Sequence, residues 1–168
     1  TGATSGIGLA TARALRDRGW TVYGVARHPG QGEDIRWRAC DVTDEGAFAA
    51  LLQSVREESG SLDLLINNAG FGISGAAEFT DNRDAKRLLE VNLFGVVNGC
   101  RAAVPIMREQ GRGRIINISS VAAPVAIPFQ SWYSVSKAGV SAYTAALAEE
   151  VQPFGISLCA ILPGDIRT

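Results

Sequence analysis

Short, continuously apolar runs alternate with longer amphipathic stretches along this chain, and that alternation restricts it to one broad architecture. "TVYGVA" (21–26), "LDLLIN" (62–67), "RIINIS" (114–119) and "ISLCAIL" (156–162) are strand candidates, with 35–40 a weaker one. Unbroken apolar runs of this length mark strands covered on both faces. Helical spacing between them predicts helices over 7–18, from Thr43 or Asp44 to about 59, over 83–110 and over 133–152. Gly19, Gly111 and Pro153 follow three of these as stop signals, because glycine accepts left-handed backbone and proline cannot extend a helix. Strands alternating with helices require parallel βαβ units, so the expected fold is α/β with a doubly wound parallel sheet.

The 168 residues suffice for one domain with a sizeable core. A net charge of -1 leaves no electrostatic footprint for nucleic acid. No apolar run approaches the ~20 residues that cross a bilayer, and no membrane partner is expected. Cys40, Cys100 and Cys159 are odd in number and far apart, which reads as reduced thiols in a cytoplasmic protein. His28 is the only histidine. That argues against a Ser–His–Asp hydrolase and most zinc enzymes, so no metal site is expected.

Chemistry concentrates in three places. The first is "TGATSGIG" (1–8), where Gly2, Gly6 and Gly8 precede the first helix. Glycines at a strand-to-helix turn let backbone N–H groups approach a pyrophosphate, and the helix N-terminus favours an anion. Thr4 and Ser5 add hydroxyl donors. The spacing differs from the G-x-G-x-x-G fingerprint, and no Gly-Lys-Ser/Thr follows, so a plain glycine turn stays open on these residues alone. The second place is "VARH" (25–28), at the end of the next strand. NAD sites usually carry an acid there for the ribose 2′-OH. Ala26 leaves that slot empty and Arg27 offers a bidentate cation for a 2′-phosphate, so NADP is favoured over NAD, with a solvated Arg27 as the ordinary alternative.

The third place is "YSVSK" (133–137), which puts Tyr133 and Lys137 on one helix face. A phenol has a reference pKa of about 10, and a neighbouring ammonium favours its ionised form. The pair is a candidate general acid/base. Ser120 ends the "RIINISS" strand, where open α/β sheets bind ligands, and its hydroxyl can donate to a carbonyl or accept from an alcohol. Ser119 competes with it.

Taken together, "TGATSGIG", "DV" (41–42), "NNAG" (67–70), Asn92 in "VNLFG", "ISS" (118–120), "YSVSK" and "PGDIRT" (163–168) resemble the short-chain dehydrogenase/reductase family over nearly the whole chain. The resemblance implies a Rossmann-like fold, with residues 1–168 forming one dinucleotide-binding and catalytic domain, and an oxidoreductase of alcohols and ketones. It selects Ser120 over Ser119. Tyr133 would be the acid/base. Lys137 would hold the nicotinamide ribose and lower the phenol's pKa. Ser120 would polarise the substrate oxygen, and Asn92 would help keep a relay water behind Lys137. Gly2, Thr4, Ser5, Gly6, Ile7 and Gly8 would cradle the cofactor's phosphates, with Arg27 at the 2′-phosphate. Asp41 and Val42 would flank the adenine, and Asn67, Ala69 and Gly70 would line the cofactor wall. Pro163, Gly164, Ile166 and Thr168 would sit at the nicotinamide.

"APVAIPFQSW" (123–132) separates Ser120 from Tyr133. Ala126, Ile127, Phe129 and Trp132 are expected to wall an apolar substrate pocket. "NNAGFGISGAAEFT" and "PGDIRT" look like the steroid- and retinol-type branch. The helices at 83–110 and 133–152 would pair between subunits of a homodimer or homotetramer, although Leu88, Val91, Val96 and Ala142 are equally suited to an intrachain core. The family pattern also has a central strand before Thr1 and a further helix and strand after Thr168, so the chain reads as an incomplete record of a longer protein. A non-catalytic dinucleotide sensor and an inactive fragment are the competing readings. The presence of both Tyr133 and Lys137 weighs against the sensor.

Overall fold

The computed structural model describes residues 1–32 and 34–166. In chain order it contains α1 (Gly6–Arg16), β1 (Tyr23–Ala26), β2 (Arg36–Ala39), α2 (Glu45–Ser59), β3 (Leu64–Asn67), α3 (Asn82–Leu89), α4 (Gly95–Gln110), β4 (Gly113–Ile118), α5 (Ser131–Val151) and β5 (Ile156–Ile161). Each expected strand is present: β1, β2, β3 and β5 are shorter than their runs, and β4 keeps its length but starts one residue earlier, at Gly113. Asp44, not Thr43, caps α2, accepting from the Ala47 N–H at 2.9 Å. Gly19, Gly60 and Gly111 all adopt left-handed backbone just beyond helices.

Every strand pair is parallel, as alternating βα units require. Tyr23 lies opposite Arg36, Leu64 opposite Arg114 and Gly113 opposite Ile156. The single expected sheet is divided into a β1–β2 pair and a β3–β4–β5 sheet. Between β1 and β3 lies a cavity of about 260 Å³, bordered by Tyr23, Val25, Leu64 and Ile66. The glycine loop bridges the gap at one end, because the Thr1 nitrogen donates to Ile66 O at 2.7 Å and the Ala3 N–H to Val25 O at 3.4 Å.

The apolar core joins Phe48, Leu52 and Val55 of α2 to Cys100, Ala103 and Met107 of α4, with Ile115 of β4 and Val140 of α5. Burying a side chain of Phe, Leu or Met size contributes roughly 1.5–3 kcal/mol, so this contact fixes α2 and α4 together. Leu88 and Val96 are also buried within the chain, whereas Ala142 is exposed. The single helix expected over 83–110 is broken by a π turn at Glu90–Phe94. Such widened turns re-aim one side chain; here it is Asn92, which is fully buried. Periodicity alone does not register the extra residue.

Gly99 shows how closely α4 passes β3. A Cβ built there would fall 2.4 Å from Asn67 Oδ1 and 3.0 Å from Phe48 Cε1. In an exposed helix Gly→Ala gains about 1 kcal/mol, but overpacking costs typically 1–3 kcal/mol. Overpacking wins here. Gly99→Ala is expected to lower the urea midpoint, and a raised midpoint would refute this packing.

Candidate active site

Because all strands run the same way, their C-terminal ends open on one side, and the candidate residues gather there. Two contiguous clefts, of about 730 and 420 Å³, share Gly70 and Phe71 as a common wall. Gly2, Thr4, Ser5, Gly6 and Ile7 line the larger one. Gly2 and Gly6 have φ of 63° and 52°, the left-handed region that glycine adopts without strain. Ser5 precedes α1 in extended conformation and its side chain makes no capping bond. The first N–H groups of α1 are therefore free to meet an anion. Gly8 does not line the cleft. Its role is close approach, since a Cβ there would lie 2.2 Å from Gly2 O.

At the far end of the larger cleft are Arg27, Asp41, Val42 and Arg87. The Thr43 N–H and hydroxyl bond to Asp41 Oδ1 at 3.0 and 2.8 Å. The Thr43 backbone bond is the main reason the Asp41 carboxyl is held below its ordinary pKa, with smaller pulls from Arg27 and Arg87. Arg87 escaped the sequence reading, because nothing in α3 marks which of its cations faces a cleft.

Beyond β3, the structure corrects one assignment. Asn67 is 2% exposed and points into the core, where its Nδ2 donates to Asn117 Oδ1 at 2.9 Å. It does not line the larger cleft. Asn68 does, together with Ala69 and Gly70, and its Nδ2 donates to Thr1 O at 2.9 Å, fastening the glycine loop to the end of β3.

Ser120, Tyr133, Lys137, Pro163 and Gly164 line the smaller cleft. Ser120 Oγ accepts from the Ala122 N–H at 3.1 Å, which leaves its proton free to donate. Lys137 Nζ lies 5.7 Å from the centre of the Tyr133 ring and donates to Ile118 O at 2.8 Å. Burial lowers the Lys137 amine from 10.5 to about 8. Asn92 ties the adjoining loop to α5: its Oδ1 accepts from Phe71 N–H at 3.0 Å, and its Nδ2 donates to Phe71 O at 2.8 Å and Ser136 Oγ at 3.2 Å.

Of the four expected apolar wall residues, only Ile127 lines this cleft. Ala126 is exposed, Trp132 is half-buried and Phe129 is 68% exposed, and none of the three is part of the lining. Phe129 has φ of 63°, uncommon for a bulky residue, and its carbonyl accepts from the Gly75 N–H at 2.8 Å. That turn directs the Phe129 ring outward and brings the next residue, Gln130, to the cleft wall. Gln130 and Asp165 line the cleft without having been singled out from the sequence. Gln130 could have been found, because it lies one helical turn before Tyr133. Ile166 is 55% exposed and outside both linings, and Thr168 lies outside the described residues. Among the described residues, no group of three or more His, Cys, Asp or Glu side chains could hold a metal ion, and no helix is long and apolar enough to cross a membrane.

A glycine-lined cleft at the strand ends, adjoining a Ser–Tyr–Lys cleft, is the arrangement of a Rossmann-like dinucleotide-binding protein. The chain belongs to the short chain dehydrogenase family, whose profile matches residues 1–168. It is 44% identical over 169 residues to 3-ketodihydrosphingosine reductase of Bacteroides thetaiotaomicron, covering 100% of this chain and 63% of that protein. A short-chain dehydrogenase from Streptomyces avermitilis superposes with a TM-score of 0.93 at 36% identity, over 99% of this chain and 64% of the other. A gluconate 5-dehydrogenase from Burkholderia cenocepacia, solved with NADP and tartrate, gives 0.91 at 28% identity, over 100% and 70%. The chain thus spans less than two thirds of the length of the reductase.

The buried lysine gives this site a pH signature. A lysine whose folded pKa is depressed binds fewer protons folded than unfolded, so stability rises with pH between the two values. Relative to Lys137→Met, the wild type is expected to gain stability as pH rises from about 8 toward 10.5. Chemical denaturation of both proteins across that range measures it, and a flat difference would contradict the buried amine.

Proposed function

We propose that the protein containing this chain is an NADP(H)-dependent oxidoreductase acting on an apolar alcohol or ketone, with Tyr133 as its acid/base. The observation that carries the proposal is that Ser120, Tyr133 and Lys137 share one cleft contiguous with the glycine loop. That loop fits a dinucleotide, since glycine backbone and the free N–H groups at the start of α1 suit a pyrophosphate, and the larger cleft, about 730 Å³, has room for it. When bound, the nicotinamide supplies or accepts the hydride.

The chain's own residues handle the proton and the orientation. The Tyr133 hydroxyl gives its proton to the carbonyl oxygen on reduction and recovers one on oxidation. The free proton of Ser120 polarises the same oxygen. Lys137 holds the cofactor's ribose hydroxyls and favours the ionised phenol. Asn92 keeps the wall next to Lys137 in place, beside the water that would return protons. Asp41 and Val42 flank the adenine; Arg27, with no acid at Ala26, meets a 2′-phosphate.

For the substrate, Phe71, Ile73, Val121 and Ile127 supply apolar surface in the cleft. The 44% identical relative is named for reducing 3-ketodihydrosphingosine. A ketone on a long apolar chain is therefore the first substrate to test. A steroid or retinol, the branch that the sequence resembles, is the second. A cytoplasmic homodimer or homotetramer built through the 83–110 and 133–152 helices completes the proposal, with Phe94 of the π turn and Val135 of α5, 48% and 52% exposed, as apolar contacts.

The test is absorbance of NADPH or NADH with full-length protein and a ketone panel. Turnover with NADPH supports the reading, whereas normal cofactor binding without turnover of any carbonyl supports a sensor. Tyr133→Phe is expected to abolish turnover and spare cofactor binding; an unchanged rate would remove the assigned acid/base. Arg27→Ala is expected to weaken NADPH by about 1.5–3 kcal/mol, the range for a charge-assisted hydrogen bond, and to leave NADH affinity unchanged. Equal losses for both cofactors would overturn the NADP assignment.

A further inference from the structure

Ser119 is 2% exposed, and its hydroxyl makes two hydrogen bonds inside the protein. Its Oγ donates to the backbone carbonyl of Lys137 at 2.9 Å and lies 2.8 Å from Ser141 Oγ. A serine hydroxyl has one proton. A carbonyl can only accept, so that proton goes to Lys137 O, and Ser141 must be the donor in the second bond. The neighbouring residue, Ile118, accepts from Lys137 Nζ at 2.8 Å. Consecutive residues at the end of β4 therefore hold the same lysine at its main chain and at its amine. The Ser119 N–H donates to Ile161 O at 2.8 Å, so the anchor itself is fastened to β5.

We propose that Ser119 is a positioning residue: it pins the Lys137 turn of α5 to the end of β4 and thereby sets the separation between Ser120 and the Tyr133–Lys137 pair. The inference rests on the oxidoreductase reading above and deepens it. Ser120 follows Ser119 directly, so any slip of α5 against β4 changes the distance from Ser120 to Tyr133 across the cleft. Misplacement of reacting groups by about 1 Å can cost roughly a hundredfold in rate. Without the Ser119 hydroxyl, Lys137 O keeps only its helical partner and the Ser141 hydroxyl loses its acceptor.

The test compares Ser119→Ala, Ser119→Thr and Ser141→Ala in the full-length protein. Ser119→Ala is expected to lower kcat roughly tenfold to a hundredfold, with the cofactor KM changed by less than about threefold. Ser119→Thr, which keeps the hydroxyl, is expected to restore most of the rate. A second readout needs no turnover. In carbon-13 NMR of labelled lysine, with Lys137 assigned by its absence in Lys137→Met, the amine is expected to titrate near 8 in the wild type and to move toward 10.5 in Ser119→Ala as it is released toward solvent. If Ser119→Ala lowers only thermal stability, with kcat and the lysine titration both unchanged, the proposal is overturned. If Ser119→Ala does not fold, Ser141→Ala decides. A smaller change in the same direction supports the pin, and none refutes it. If the wild type reduces no carbonyl, the oxidoreductase reading fails and the lysine titration alone judges the pin.

Discussion

Lys137 is an amine with almost no access to water, and the packing around it organises the whole strand-end region. Lowering its pKa from 10.5 to about 8 corresponds to roughly 3 kcal/mol of disfavoured charge. A hydrogen bond to a charged group returns about 1.5–3 kcal/mol, which is the scale of the bond to Ile118 O. That bond is made only because β4 ends where it does and α5 lies against it. The parallel pairing of β4 with both β3 and β5 fixes that end. The 21 residues of α5 carry Tyr133, Lys137 and Ser141 along it from the cleft to the core.

The remaining polar groups in the interior follow the same logic. Asn67, Asn117 and Thr144 form a chain from β3 through β4 to α5, with bonds of 2.9 and 2.9 Å. Asn92 closes the adjoining loop onto α5 through Ser136, whose hydroxyl donates to Tyr133 O at 2.7 Å. Buried polar groups are mostly hydrogen-bonded, and Asn67 Oδ1 is the exception among the described residues. Here the partners belong to different elements, so the network fixes their relative positions more sharply than apolar contact would. The π turn serves the same end, since it is what brings Asn92 into the interior rather than leaving it on a regular helical face.

Much of this was legible from residues. Apolar runs located all five strands, the glycines gave the loop and two helix stops, and Pro153 gave a third. Other features depend on what lies across space. The order of strands within each sheet depends on which of them meet across space, which no run within one strand encodes. The left-handed backbone at Phe129 is imposed by the bond from Gly75, 54 positions earlier in the chain. It reversed the expected direction of the ring and exchanged Phe129 for Gln130 in the cleft. The π turn at Glu90–Phe94 has no signature in a helical period, because its cause is the loop at Phe71.

The two misread or undecided pairs, Asn67 with Asn68 and Ser119 with Ser120, share one explanation. Side chains alternate across a strand. In β3, Leu65 and Asn67 are buried on one face, so Asn68 is the residue that emerges toward the cleft. In β4 and its extension, Ile115, Asn117 and Ser119 are 0%, 0% and 2% exposed and share a face directed at the helices. Parity then turns the Ser119 hydroxyl toward the helices and Ser120 toward the cleft, although both residues belong to the cleft lining. Each pair consists of an inward residue that holds the frame and a successor that faces the ligand space. Identical chemistry within each pair, two amides or two hydroxyls, conceals that difference in a linear reading. Counting from the strand's apolar face reveals it.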